Sequence, residues 1–253
     1  MKKVSILLLI ILITESVIFP YNIHPQEKSE NNIKKIIFNR HYSVKFGVIP
    51  VGTVSVTLIE EDDGYTVNAT AKTIGVADVI YPVRDNFVST FKKDLSSFIR
   101  AKYTIREGSY KRDDEFELKD DEFICNRNGN ITKRRLQSKR VFDMVSSHFA
   151  FVMGMRAGKD YRESADFLVI DCKKEIKPEV DYYGESVIKR GEIEIKVHQY
   201  SLMLPVKGIL LAREEDKKVY ILLDQSEKWL IYAYVPTKWG NIHIAVSYTH
   251  LTL

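Results

Sequence analysis

Residues 41–60, HYSVKFGVIPVGTVSVTLIE, decide the fold class. Tyr42, Val44, Phe46 and Val48 fall on one side of an extended chain, and after Pro50 the alternation resumes with Val54, Val56 and Leu58. Two consecutive runs at period two are the mark of paired strands, each with one face in a core. Gly47 and Gly52 flank the intervening residues as a bend or bulge requires, because proline removes a ladder donor and glycine relieves the backbone.

Working outward, Asp62-Asp63-Gly64 is a turn signal before a third run at 65–73. Strand-like alternation returns at 86–91, 99–106, 115–118, 122–125, 167–172, 193–197, 207–211, 219–223, 229–234 and 241–244. Short runs at intervals of about 8–12 residues predict an all-β, β-dominated fold: an antiparallel curved sheet, barrel or sandwich. One segment departs from this. In 142–155, FDMVSSHFAFVMGM, the residues Phe142, Val145, Phe149, Val152 and Met153 follow the spacing of one central α-helix with a single buried face. It would join two strand-rich halves, 34–136 and 162–245, of a single domain spanning 34–245.

Both ends fall outside this domain. Met1-Lys2-Lys3 precedes the apolar run VSILLLIILI at 4–13, and a short basic start before a run of about 7–15 apolar residues is the pattern of a secretory signal. Residues 1–25 are therefore expected to be a signal peptide and the protein periplasmic or otherwise exported. The alternative is an uncleaved inner-membrane anchor, since Val17 to Phe19 extend the run past Glu15. Residues 22–32 are polar and without periodicity, a leader segment. The last eight residues, VSYTHLTL, coincide with one reading frame of a transposon-end adapter used in DNA library preparation. Residues 246–253 thus read as a tail foreign to the natural chain, and Tyr248 and His250 carry no functional weight.

The 253 residues are 45% hydrophobic and 28% charged with 12 Gly and 7 Pro, which excludes collagen-like, low-complexity and wholly disordered chains. A net charge of +4 is too small for a nucleic-acid footprint, so no nucleic-acid partner is expected. Cys125 and Cys172 show no metal-ligand spacing. They can pair in an exported protein or stand as two buried thiols. No phosphate-cradling glycine loop is present, and no cofactor or metal is expected.

The polar residues of the central helix, Asp143, Ser146, Ser147 and His148, form the one local cluster with catalytic residue types. Its bland reading is a solvated helix face with an acid favouring the dipole. Five bases lie between Lys133 and Arg140, read as a solvated connector or as a contact for anionic envelope groups such as lipid phosphates. Aromatics are in excess, with 14 Tyr, 12 Phe and 2 Trp, and Tyr182, Tyr183, Trp229, Tyr232, Tyr234 and Trp239 crowd the last third. They serve either as core filling or as the lining of a binding site.

Taken in order, HYSVKFGVIPVGTVSVTLIE, TAKTIGVADVIYPVRDNFVSTFKKD, YTIREGSYKRDDEFEL, the helix start VFDMVSSHFAFV, YYGESVIKRGEIEIKVHQY and VYILLDQSEKWLIYAYVPTKWGNIHI resemble the bacterial exported family called domain of unknown function 3108. The resemblance covers most of 39–245 and implies an envelope location and a β-rich fold, with no established activity. Its members tend to carry an Arg late in the central helix, where this chain has Val152 and reaches its first Arg at Arg156. The function expected is a binding, carrier or structural module for an apolar or envelope-derived ligand, lipid or glycan, associated with the membrane only through the envelope. Asp143, Ser146, His148, Trp229 and Trp239 are its candidate binding residues. The alternative is an envelope hydrolase using the polar cluster at the central helix.

Overall fold

The computed structural model describes residues 34–161, 165–190, 192–203, 218–226, 228–237 and 240–247. The first run forms β1 (Lys35–Phe46) and β2 (Ile49–Glu60), a hairpin turning at Gly47-Val48, with Gly47 in the left-handed region at φ 58°. A register shift between Val44 and Lys45 supplies the bulge expected there. The chain continues as a meander through β3 (Gly64–Thr73), a short helix α1 (Gly75–Ile80), β4 (Arg84–Lys92), β5 (Phe98–Glu107), β6 (Tyr110–Lys119), β7 (Glu122–Arg127) and β8 (Asn130–Arg135). Then come β9 (Val141–Asp143), the central helix α2 (Met144–Arg156), β10 (Leu168–Ile170) and β11 (Glu175–Ile176). A second meander follows: β12 (Glu179–Arg190), β13 (Ile193–Met203), β14 (Lys218–Asp224), β15 (Leu230–Thr237) and β16 (Gly240–Val246).

Both strand-rich halves belong to one antiparallel sheet of 13 strands, because β16 pairs with β1. Its order is β12 to β16 and then β1 to β8, so β12 and β8 are its edges and it is not closed. The remaining strands, β11, β10 and β9, form a small sheet that touches the large one through a bridge between Ser97 and Val141. The fold is thus β-dominated, as the alternation requires. Two strands of the large sheet, β8 and β12, fall outside the alternating runs: β8 lies in the basic stretch and is exposed along nearly all its length, so neither of its faces is apolar.

The inner face of the sheet carries the apolar side of each alternation, including Phe38, Tyr42, Val54, Phe87, Phe91, Tyr103, Phe116 and Phe123. Helix α2 fills this concavity. Phe149 sits edge-on to Phe38 and tilted against Phe91, at ring separations of 6.3 and 6.4 Å. Phe151 stacks on Tyr161 at 4.9 Å, and Gly154 is required there, since a Cβ would collide with the Tyr161 ring and hydroxyl.

The expectation of a helix with one buried face is corrected by this placement. Residues Met144 to Val152 are all buried, Ser146, Ser147 and His148 included. A sheet that curls around a helix covers its polar side as well as its apolar one. Phe142, expected as the first helical turn, lies instead in β9.

Cys125 of β7 is bonded to Cys172, just after β10, which fastens the helix-bearing segment to the large sheet. Val246 completes the alternation of β16 by pairing with Tyr42 and is buried, and the Ser247 amide donates to the His41 carbonyl. The tail expected to lie outside the fold is therefore packed at its first two residues. The expected signal peptide, the leader 22–32, the run 207–211 and the rest of the tail lie outside the described residues.

Candidate functional site

Asp143 is the N-cap of α2, extended at φ −72°, ψ 172°, and its side chain accepts from the amides of Val145 and Ser146. The same carboxylate reaches across to the sheet. Its Oδ2 accepts from Ser89 Oγ at 2.6 Å and from Ser146 Oγ, and its Oδ1 accepts from the Tyr103 hydroxyl. Burial, followed by the adjacent Asp143 charge, pushes the Tyr103 hydroxyl well above the usual phenol range. Asp143 and Ser146 are fully buried and His148 nearly so, with its ring edge-on to Phe149 at 5.9 Å.

The structure therefore brings Asp143 and Ser146 together, as their spacing implies, but inside the core. The bonds from Val145 and Ser146 cap the helix, and those from Ser89 and Tyr103 join it to the large sheet. That is the geometry of a cap and a clamp, and it offers a substrate no approach. Trp229 is also core: its ring lies 4.8 Å from Phe38, with the Arg156 guanidinium 4.8 Å over its face. Trp239 lies outside the described residues.

The basic stretch is not a free cationic patch. Lys133 pairs with Glu122, Arg134 with Glu175, Arg135 with Asp121 and Arg140 with Asp166. Arg134 and Arg140 also lie over the rings of Phe123 and Phe167. A second buried charge cluster, at the inner face of β6 and β7, holds Asp114 between Arg112 and Arg127, with Arg127 donating at 2.7 and 2.9 Å. Among the described residues no three His, Cys, Asp or Glu side chains converge as a metal-ligand set.

Two features remain outside the core. The first is a half-buried imidazole on β13. Lys228 Nζ lies 2.7 Å from His198 Nε2 and donates to the Gln225 carbonyl at 2.6 Å, and the Tyr182 hydroxyl lies 3.1 Å from His198 Nδ1. Burial first, then the Lys228 charge, lowers the His198 pKa, so the ring is neutral and its Nε2 accepts from the ammonium. Lys228 itself sits at φ 62° in the β14–β15 turn, and its side chain ties that turn to β13.

The second is a row of rings on the outer face of the sheet. Cross-strand register places Tyr220 of β14 opposite Tyr234 of β15, Tyr234 opposite His243 of β16, and His243 opposite Lys45 of β1. Tyr183 of β12 extends the row, giving centroid separations of 6.1, 6.0 and 5.4 Å from Tyr183 through Tyr220 and Tyr234 to His243. Tyr183 and Tyr220 are 53% and 40% exposed. At the β16 end the row opens into a recess of about 350 Å³ lined by Ser43, Lys45, Val48, Tyr232 and His243. Tyr232 donates to, or accepts from, His243 Nδ1 at 2.5 Å, which fixes the ring at the recess floor.

The crowding of tyrosines in the last third was visible in the sequence, and period two explains its division. On β15, Ala233 and Val235 point inward and Tyr232 and Tyr234 outward. His243 and Tyr220 were not among the expected site residues. The signal that finds them is register, which a single strand does not carry.

The fold resembles the crystal structure of a beta-barrel-like protein of domain of unknown function DUF1849 from Brucella abortus, with a TM-score of 0.54 at 8% identity over 83% of this chain and 98% of that one. No curated protein matches the sequence. The family described as protein of unknown function (DUF3108) matches residues 41–244, nearly the whole sheet with its helix, and the chain belongs to that family.

Proposed function

We propose that the protein is a non-catalytic binding module of the cell envelope that holds a glycan chain on the outer face of its sheet. The observation that carries this reading is the row Tyr183, Tyr220, Tyr234 and His243, solvent-facing rings at near-regular separations of about 6 Å along one line of register. Aromatic faces accept the apolar C–H faces of pyranose rings, while their polar tips and neighbours meet the hydroxyls. Lys218 and Asp181, paired beside Tyr183, supply such partners, and Ser43 and Lys45 do so in the recess. Helix α2 fills the concave side with Phe149 and its neighbours, which favours an external ligand over an apolar one carried inside.

An extracytoplasmic location is part of the proposal. The apolar run after Lys2-Lys3 and the Cys125–Cys172 bond both support it, since structural disulfides persist in oxidising compartments. A fusion of residues 1–40 to a reporter that folds only outside the cytoplasm tests it, and cytoplasmic retention refutes it.

The binding test is co-sedimentation with purified cell-wall sacculi and calorimetry with soluble oligomers of N-acetylglucosamine. Tyr183→Ala and Tyr220→Ala should each weaken binding by roughly 3–10-fold, the scale of one aromatic contact. Their melting curves should stay at wild-type values. Equal binding by wild type and the double variant refutes the assignment.

A further inference from the structure

Helix α1 has six residues and buries none of them. Its Val76, Val79 and Ile80 are 75%, 86% and 77% exposed. The helix follows β3, and the Ile74 amide donates to the Val51 carbonyl, so α1 leans against the start of β2. There the β1–β2 turn projects Val48 and Ile49, which are 88% and 61% exposed, with Phe46 partly exposed behind them. Outside the tyrosine row, the other strongly exposed apolar residues of the described surface, Ile36, Ile131, Val187 and Ile193, lie on four different strands, whereas these gather at one end of the sheet. A cluster of this kind marks an interaction site rather than ordinary surface.

The charges around it identify the partner. The acids of this end are neutralised or withdrawn. Asp78 is held by both nitrogens of Arg84, at 2.7 and 2.8 Å, and by Thr73, which keep its carboxyl far below the usual carboxylate range. Asp113 is clasped by Arg106, and Asp85 and Glu107 are buried. The lysines Lys45, Lys72 and Lys111 are exposed, on β1 and β3 and beside the β5–β6 turn that packs on the α1–β4 link through Gly108 and Pro82. A projecting apolar tip ringed by lysines and cleared of free acids matches an anionic lipid surface, where aliphatic side chains enter the acyl boundary and lysines meet headgroup phosphates.

We propose that this tip, formed by the β1–β2 turn and α1, docks the protein onto the surface of an anionic bilayer without crossing it. The Lys45–Val48 recess adjoins the tip, so a docked molecule holds the aromatic row beside the membrane; the docking itself does not depend on the glycan reading.

The test uses Val79→Trp, read against wild type to subtract the native tryptophans, with Val187→Trp on the far edge strand β12 as control. Each is mixed with vesicles of phosphatidylcholine alone, or of phosphatidylcholine and phosphatidylglycerol in equal parts, with and without brominated acyl chains. Val79→Trp emission should shift to the blue and be quenched on the anionic vesicles only, and V187W should do neither. Lys72→Gln and Lys111→Gln should each weaken partitioning roughly fivefold, an effect that high salt removes. The triple variant V76S/V79S/I80S, which changes only exposed side chains, should lose binding tenfold or more while keeping sacculus binding. Unchanged V79W emission overturns the proposal, as does an equal response of V187W. A blue shift that rises with protein concentration in the absence of lipid also overturns it, in favour of contact between two copies of this chain.

Discussion

Replacing Asp143 separates a clamp from a catalytic acid. In Asp143→Ala the helix loses its cap, an effect of about 1 kcal/mol. Three buried hydroxyls, from Ser89, Tyr103 and Ser146, lose a charged acceptor at the same time. A hydrogen bond to a charged group is worth about 1.5–3 kcal/mol, and because Ser89 and Ser146 donate to the same oxygen their hydroxyls can turn to one another and recover part of the loss, so the whole change should be about 4 kcal/mol. Asp143→Asn keeps Oδ1 as acceptor for the two amides and Tyr103, and turns an NH2 group toward two hydroxyls that can rotate to accept. Its cost should be nearer 1–2 kcal/mol. Urea unfolding followed by fluorescence of the buried Trp229 reads both. With a slope of roughly 2–3 kcal/mol/M the alanine variant should lose about 1.5–2 M in midpoint and the asparagine variant less than half of that. An alanine variant within about 0.5 kcal/mol of wild type would refute the clamp, because that is the range of a surface change.

Phe149→Ala should destabilise by about 3–5 kcal/mol in the same assay, as aromatic truncations in a packed core do, and His148→Ala should also cost about 1–3 kcal/mol because that ring is buried too. A neutral His148→Ala would return the ring to solvent. The Cys125→Ser, Cys172→Ser pair opens a link between positions 47 residues apart and should lose roughly 4 kcal/mol by the chain-entropy account, read as a lowered urea midpoint; an unchanged midpoint refutes it. His198 should titrate below the free-histidine value of about 6.5 in an NMR pH series. Because its folded pKa is depressed, its contribution to stability is complete above the unfolded pKa and is lost as pH falls through the folded one. Titration at or above the free value would show that Lys228 does not donate to the ring.

The strands were readable where one face is buried and the other wet. Val54, Val56 and Leu58 announce β2 at once, and Tyr232 and Tyr234 announce the outer side of β15. The helix was readable in existence but not in environment, since Ser146 and His148 look like a solvated stripe until a sheet is known to curl around them. The Cys125–Cys172 bond joins distant segments and the ring row depends on register between strands, and neither is encoded in the pattern of a single run. Helix α1 escaped because its apolar residues are the exposed ones, against the rule by which apolar residues are read as core.

Every neighbouring pair in the large sheet is adjacent in sequence except β1 with β16. The chain is therefore two ladders, each able to zip up hairpin by hairpin from local contacts, joined along one seam whose partners are some two hundred residues apart. During synthesis β1 leaves the ribosome early and carries a bare edge until β16 follows. An unpaired edge of that length is a template for the wrong strand. The slow step of folding should be the joining of that seam, and a circular permutant that places β16 directly before β1 should remove it.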